Sequence, residues 1–216
     1  MSGPLIAVVD YGAGNLVSIE QALTTIGARV SIARDAATLV DADGLIVPGV
    51  GAAAPAMDRL RAADLVAPIR DWIAAGRPYL GICLGLQLLF EGSDEDGAAT
   101  LGILPGRTVL LDGAPTLPHI GWNQVERRRD HPIFAGIADA ADFYFVHSYA
   151  GSLAPEAADA ALAETTHGGT FTSAIARDNV VGVQFHPERS GIDGLRLLGN
   201  FAALVAADAR RAAVPA

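Results

Sequence analysis

The chain of 216 residues contains no lysine; all fifteen of its basic residues are arginines. That excludes a Walker phosphate loop, a pyridoxal-phosphate Schiff base and any lysine nucleophile or general base, since each needs a primary amine. There is one cysteine, Cys83, which excludes an internal disulfide framework and cysteine-rich metal sites and fits a reducing cytoplasm. No stretch approaches the roughly 18 uninterrupted apolar residues of a membrane span. Leu5–Val9 is apolar but short, and it lacks the basic leader of an export signal. Positive charge is also scarce: 15 basic against 24 acidic residues leave a formal net charge of −9, which argues against nucleic acid or an anionic membrane as partner.

The composition that remains is globular, 51% apolar and 18% charged. A chain of this length hides about 70% of its unfolded surface when compact. No linker rich in Pro, Gly or Ser divides it, so a single domain over residues 1–209 is expected, followed by a flexible tail, Arg210–Ala216.

The first ninety residues alternate between two hydrophobic periods. Leu5–Val9, Arg29–Ala33, Gly44–Val47 and Tyr79–Ile82 read as strands, the first, third and fourth apolar throughout. Helical spacing runs from Leu16 to Ile26 before Gly27, through Met57, Leu60, Leu65, Ile69 and Trp72 before Gly76, and from about Leu84 to Phe90. Apolar strands alternating with helices indicate an α/β fold, three-layered, with a mostly parallel central sheet covered on both faces. The second half offers short strands instead: Val109–Leu111, Gly121–Val125, Phe143–His147, Ala161–Thr165, Phe171–Arg177 and Val180–Phe185, with Asp178-Asn179 as a hairpin turn between the last two. These are expected to extend the sheet in antiparallel fashion before a last helix, Gly191 to Ala209.

Gly81-Ile82-Cys83-Leu84-Gly85 is the sharpest local signal. A strand ends, a reactive side chain stands between two glycines, and a helix begins: the layout of a nucleophile elbow with cysteine in place of serine. The glycines suit a turn that brings neighbouring backbone too close for side chains, and the helix N-terminus faces the sulfur, which favours the thiolate. The same residues also fit a small apolar core cysteine. His186-Pro187-Glu188 shifts the balance. In extended chain His186 and Glu188 point to one side, Pro187 stops the strand, and the carboxylate can orient the imidazole as in a nucleophile–base–orienter triad. The competing readings are a surface turn and a zinc site; the latter lacks recognisable ligand spacing. Pro48-Gly49-Val50-Gly51 closes the third strand on the same sheet edge, where its backbone and the Leu84 N–H can serve a developing oxyanion. Its loose match to a dinucleotide fingerprint is too weak to argue for NAD.

Together, Gly-Ile-Cys-Leu-Gly-Leu-Gln at 81–87 and Gln-Phe-His-Pro-Glu at 184–188 resemble the class I (triad) glutamine amidotransferases, over essentially the whole chain. Residues 10–16 (Asp-Tyr-Gly-Ala-Gly-Asn-Leu), 118–123 (Pro-His-Ile-Gly-Trp-Asn) and 144–149 (Tyr-Phe-Val-His-Ser-Tyr) are similar to the glutaminase subunits of imidazole glycerol phosphate synthases. The resemblance implies a flavodoxin-like glutaminase fold, a Cys83–His186–Glu188 triad, and an oxyanion hole from Gly49, Val50, Gly51 and Leu84. It further implies a glutamine site from Gln87 and Glu95 with backbone of His147, Ser148 and Tyr149. The implied reaction is hydrolysis of L-glutamine to glutamate and ammonia without metal or other cofactor. The implied partner is a (β/α)8-barrel cyclase that consumes the ammonia in histidine biosynthesis, met near Tyr11, Asn15, Trp122 and Arg189. Two departures stand out: Arg189 where the family often has lysine, and Ala52 where it commonly has a basic residue or histidine. His119, His131 and His167 have no triad-like context and receive no catalytic role, and Arg127-Arg128-Arg129 reads as an exposed face. The alternatives are a glutaminase subunit of another pathway, such as anthranilate or purine synthesis, and a flavodoxin-like binding module without chemistry.

Overall fold

In the computed structural model, which describes residues 3–212, the first half alternates strand and helix. Its elements are β1 (Leu5–Val9), α1 (Leu16–Thr25), β2 (Arg29–Ala33), β3 (Gly44–Val47), α2 (Ala53–Ala62), α3 (Val66–Ala74), β4 (Tyr79–Ile82) and a single helical turn, α4 (Leu84–Gln87). The second half is mostly strand. It comprises β5 (Gly92–Ser93), β6 (Gly106–Leu110), β7 (His119–Arg127), β8 (Ala141–His147), β9 (Tyr149–Leu153), β10 (Ala161–His167), β11 (Gly169–Arg177) and β12 (Val180–Val183), and it ends in the long helix α5 (Gly191–Ala212).

Nine strands form one sheet in the order β2-β1-β3-β4-β12-β11-β10-β7-β8. From β2 to β12 every pairing is parallel, and from β12 onward every pairing is antiparallel. The apolar runs of β3, β4 and β12 are buried along their whole length because both faces are covered. Alternation along the strands divides the core in two. Ile6, Val8, Ile46, Leu80 and Ile82 meet Ile19 and Leu23 of α1 and Leu197 and Phe201 of α5 on one face. Ala7, Val9, Leu45, Val47 and Tyr79 meet Met57 and Leu60 of α2 and Ile69 and Trp72 of α3 on the other.

The arrangement departs from the sequence expectation in four places. The helical stretch before Gly76 is two helices, broken where Asp64 takes φ +53°, a conformation that aspartate tolerates better than most residues. Regular helix after Cys83 lasts one turn instead of reaching Phe90. Val109–Leu111 does not extend the main sheet: β6 pairs with β5 and β9 in a separate three-stranded sheet. Finally, α5 runs on to Ala212, so Arg210 and Arg211 of the expected tail are helical; the rest of that tail, 213–216, lies outside the described residues.

Candidate active site

Cys83 sits between the last residue of β4 and the first of α4, with φ +53° and ψ −110°. The flanking glycines are a steric requirement. A Cβ on Gly81 would lie 2.5 Å from the Gly85 carbonyl oxygen, and one on Gly85 would lie 1.7 Å from the Val47 carbonyl oxygen. Because α4 is a single turn, the expected support for a thiolate from a helix dipole shrinks to local N–H groups. These are engaged: Leu84 N–H donates to the Gly49 carbonyl at 3.4 Å, and Gln87 N–H to the Cys83 carbonyl at 3.2 Å. Leu84 therefore reaches an oxyanion only by exchanging that long contact.

Next to β4 in the sheet, and parallel to it, lies β12, with Val183 opposite Ile82. The ladder continues one residue further, Cys83 N–H donating to Val183 O at 2.8 Å. The chain then passes through Gln184 and Phe185 to His186, whose N–H is held by Tyr144 O at 2.9 Å. A 3-10 turn, Pro187–Arg189, swings Glu188 back so that His186 Nδ1 donates to Glu188 Oε1 at 2.9 Å. That carboxylate is almost fully buried. Burial works against a charged imidazole, but Cys83 and Glu188 outweigh it and push the His186 pKa up to about 10. Nε2 is buried and has no formed hydrogen bond. Cys83 is the strongest favourable influence on the ring, and catalytic hydrogen bonds of this kind often tighten only once substrate is bound.

A cavity of about 260 Å³ joins Cys83, Gln87 and Glu95 to Val50 and Gly51 on one side and to His147, Ser148 and Tyr149 on the other. Its size suits an amino acid. Gln87 donates to Tyr149 O at 2.8 Å and to Gln184 Oε1 at 3.1 Å. Both amide hydrogens are thereby engaged, and Oε1 is the atom it can offer a ligand. Partial burial and the neighbouring Asp96 raise the Glu95 pKa. Two residues not singled out from the sequence complete the surroundings. Gln184 is fully buried and donates to Cys83 Sγ at 3.6 Å, and His119 contacts His147 ring to ring, Nδ1 to Nε2, at 3.3 Å. Gln184 stands in the 184–188 motif and His119 in the 118–123 segment, where the sequence gives it no catalytic role. A larger cavity, about 770 Å³, lies between β6–β9 and β10–β11 and has neither cysteine nor histidine in its wall.

The four expected partner-facing residues do not share one fate. Tyr11 is buried, its hydroxyl donating to Pro48 O at 2.9 Å. A Cβ on Gly49 would meet that hydroxyl at 2.1 Å. The ring braces the glycine-rich turn from inside and offers no surface to a partner. Asn15 is exposed and caps α1 through Ser18 N–H. Trp122 is 57% exposed and packs edge-on against Tyr144, whose ring also carries the Arg189 guanidinium 4.2 Å from its centre. Among the described residues no group of three or more His, Cys, Asp or Glu is placed to hold a metal ion, and no helix is long and apolar enough to cross a membrane.

The profile of the class-I glutamine amidotransferases matches residues 7–203. The chain belongs to this family. Relatives named imidazole glycerol phosphate synthase subunit HisH include those of Salinibacter ruber, 47% identical with 93% of this chain and 94% of the relative covered, and of Synechococcus elongatus, 48% identical with 95% and 96% covered. Solved structures with the same fold include a GMP synthase component from Thermoplasma acidophilum (TM-score 0.71, 21% identity, 98% of each chain covered). Another is the PurLQS structure of Thermotoga maritima (TM-score 0.71, 18% identity, 94% of this chain and 99% of that one covered). These two structures share the fold of this amidotransferase along nearly its whole length.

Proposed function

We propose that the chain is the glutaminase subunit of imidazole glycerol phosphate synthase in histidine biosynthesis, hydrolysing L-glutamine and passing ammonia to a (β/α)8-barrel cyclase. The observation that carries this reading is the meeting of Cys83, His186 and Glu188 at the ends of two adjacent parallel strands, beside a cavity of amino-acid size. The relatives' names and their near-complete coverage support the pathway. A single domain over 1–209 is supported by the nine-stranded sheet, which draws strands from both halves. A cytoplasmic location fits the lone unpaired cysteine.

The raised His186 pKa keeps its imidazole protonated at neutral pH, and the nucleophile is the Cys83 thiolate. Cys83 Sγ attacks the carboxamide carbon of glutamine, giving a tetrahedral oxyanion for the Gly49–Gly51 backbone and Leu84 N–H. The imidazolium gives its Nε2 proton to the departing nitrogen, and ammonia leaves a thioester. Neutral His186 then takes a proton from water as the water attacks the thioester carbon, and collapse returns glutamate and the thiolate. Glu188 keeps Nδ1 protonated throughout, so Nε2 is always the atom that exchanges the proton. Glu95 and Gln87 line the cavity, and their side-chain oxygens can accept from the substrate ammonium. Released ammonia becomes ammonium in neutral water and is no longer a nucleophile, which is why a partner must take it directly. We place that partner on the exposed Trp122–Tyr144–Arg189 patch, with Asn15 near its edge.

The test is glutamate release from glutamine, with and without the cyclase and its substrate, for the native chain and Cys83→Ala. Loss of release in the variant together with glutamine-dependent cyclisation in the native pair supports the reading. Release by Cys83→Ala would remove the nucleophile, and cyclisation on glutamine without this chain would remove the pathway.

A further inference from the structure

Beyond the triad, buried polar groups form an unbroken path from the exposed side of β7 to the sulfur, and the direction of every hydrogen bond in it is determined. Tyr149 O is a carbonyl and only accepts, so the 2.9 Å contact from His147 Nδ1 requires the proton on Nδ1. His147 Nε2 is then a lone pair, and the 3.3 Å contact to His119 Nδ1 must be a donation by His119. That leaves His119 Nε2 bare, and it accepts from Asn123 Nδ2 at 3.2 Å, while the second Asn123 hydrogen goes to Thr166 O at 2.9 Å. On the other side of Tyr149 O, Gln87 supplies a second donor and bridges to Gln184 Oε1. Gln184 Nε2 donates to Cys83 Sγ. Asn123 and Gln87 each spend their two amide hydrogens on two acceptors, and Tyr149 O accepts from both His147 and Gln87.

We propose that Gln184 is a positioning residue for the Cys83 nucleophile, and that His119 and His147 hold it in register through the Tyr149 carbonyl and Gln87. Gln184 is suited to this because its backbone is fixed by a 2.9 Å bond from its N–H to Ser173 O and its amide is fully buried. An amide has one donor end and one acceptor end. With Oε1 held by Gln87, the NH2 must face the sulfur, where it favours the charged thiolate over the thiol. Were Gln87 to let go, the amide could turn over and present oxygen to the thiolate instead. The imidazoles keep Gln87 from doing so only while they are uncharged: protonated His147 would place a hydrogen on Nε2 facing the His119 Nδ1 hydrogen. Burial keeps both rings neutral at pH 7, with pKa values near 4, and the nearby His167 and His186 rings oppose a further positive charge. His119 lies between His167, centroids 4.0 Å apart, and Phe145, at 4.9 Å, so packing and hydrogen bonding at this ring can be separated by substitution.

The inference rests on Cys83 being the nucleophile, but it can be read without glutamine turnover because Cys83 is the chain's one cysteine. Iodoacetamide therefore reports on this sulfur alone, using the full chain, and glutamine hydrolysis in the presence of the cyclase gives kcat and KM separately. Gln184→Met removes the donor while keeping volume; we expect alkylation at fixed pH and kcat each to fall about tenfold, the scale of one hydrogen bond to a charged group, with KM changed less than twofold. His119→Phe keeps the stack and breaks the path, and should lower both readouts about threefold. His119→Asn loses most of the ring but restores a donor toward His147 Nε2, and should recover both to within about twofold of native. Native alkylation and kcat in Gln184→Met overturn the proposal, as does a pattern in which His119→Phe matches the native chain and His119→Asn does not, since packing alone gives that order. Retained hydrolysis in Cys83→Ala would instead overturn the glutaminase mechanism, a separate result.

Discussion

The backbone at Cys83 makes an unusual stability prediction. At φ +53° and ψ −110° the residue lies outside the regions open to side-chain-bearing residues and in one populated essentially by glycine. Such a conformation costs about 1–3 kcal/mol, sustained by the surrounding structure. In an ordinary buried position, going from alanine to glycine loses about 0.5–1 kcal/mol through unfolded-chain entropy and about 0.8 kcal/mol from the buried methyl, roughly 1.5 kcal/mol together. Here the relief of about 2 kcal/mol of strain cancels that loss. The expected result is that Cys83→Gly melts at or slightly above the temperature of Cys83→Ala, while both are inactive in glutamine hydrolysis. The measurement is paired thermal unfolding by calorimetry or circular dichroism in one buffer. For a chain of this size 1.5 kcal/mol corresponds to about 3–6 °C. A glycine variant melting 3 °C or more below the alanine variant would show that the elbow stores no strain.

Further outcomes follow from the same geometry. Gly85→Ala drives a Cβ to 1.7 Å from Val47 O, and should cost about 3 kcal/mol or more, a drop of roughly 6–12 °C; Gly199→Ala, in α5 with nothing within 4 Å of the added methyl, should instead stabilise by about 0.5–1 kcal/mol. Between pH 6.5 and 4 the unfolded chain protonates His147 while the folded chain keeps it neutral to about pH 4. Stability is therefore lost as pH falls through that window, on the order of 3 kcal/mol from His147. Urea unfolding at pH 7 and pH 4.5 should show a smaller difference in His147→Asn, and an equal difference would refute the assignment. Glu188→Gln keeps an acceptor for His186 Nδ1 but removes the charge that helps hold the imidazolium; kcat should fall tenfold or more with KM little changed, and a native kcat would show that orientation alone suffices.

The parts of the fold legible in sequence are those whose local pattern and final environment agree. Leu5–Val9, Gly44–Val47 and Tyr79–Ile82 are apolar throughout because helices cover both faces, and they appear as strands at those limits. Tyr149–Leu153 does not announce itself as a strand, since its partner β6 lies some forty residues earlier and the residues between give no periodic hint. The break at Asp64 is hidden because the apolar period continues across it from Leu60 to Leu65 and Ile69. Cys83, His186 and Glu188 are legible because each sits in a short motif whose glycines or proline imply its geometry. Gln184 and His119 are not, because what they touch is decided by which strands become neighbours. Tyr11 misleads for the same reason: its place inside the glycine-rich turn depends on β1 and β3 lying side by side.

One rung of a hydrogen-bonded ladder, Cys83 N–H to Val183 O, sets Cys83 three residues short of His186, although 103 positions separate the two in the chain (186 − 83). Main-chain spacing between parallel strands is nearly invariant, so this sheet acts as a ruler for the chemistry. Substitutions in α1, α3 or α5 can lower the fraction of folded molecules without changing that interval. Titrating active sites alongside bulk turnover would then separate two kinds of damage: fewer working copies, or slower ones.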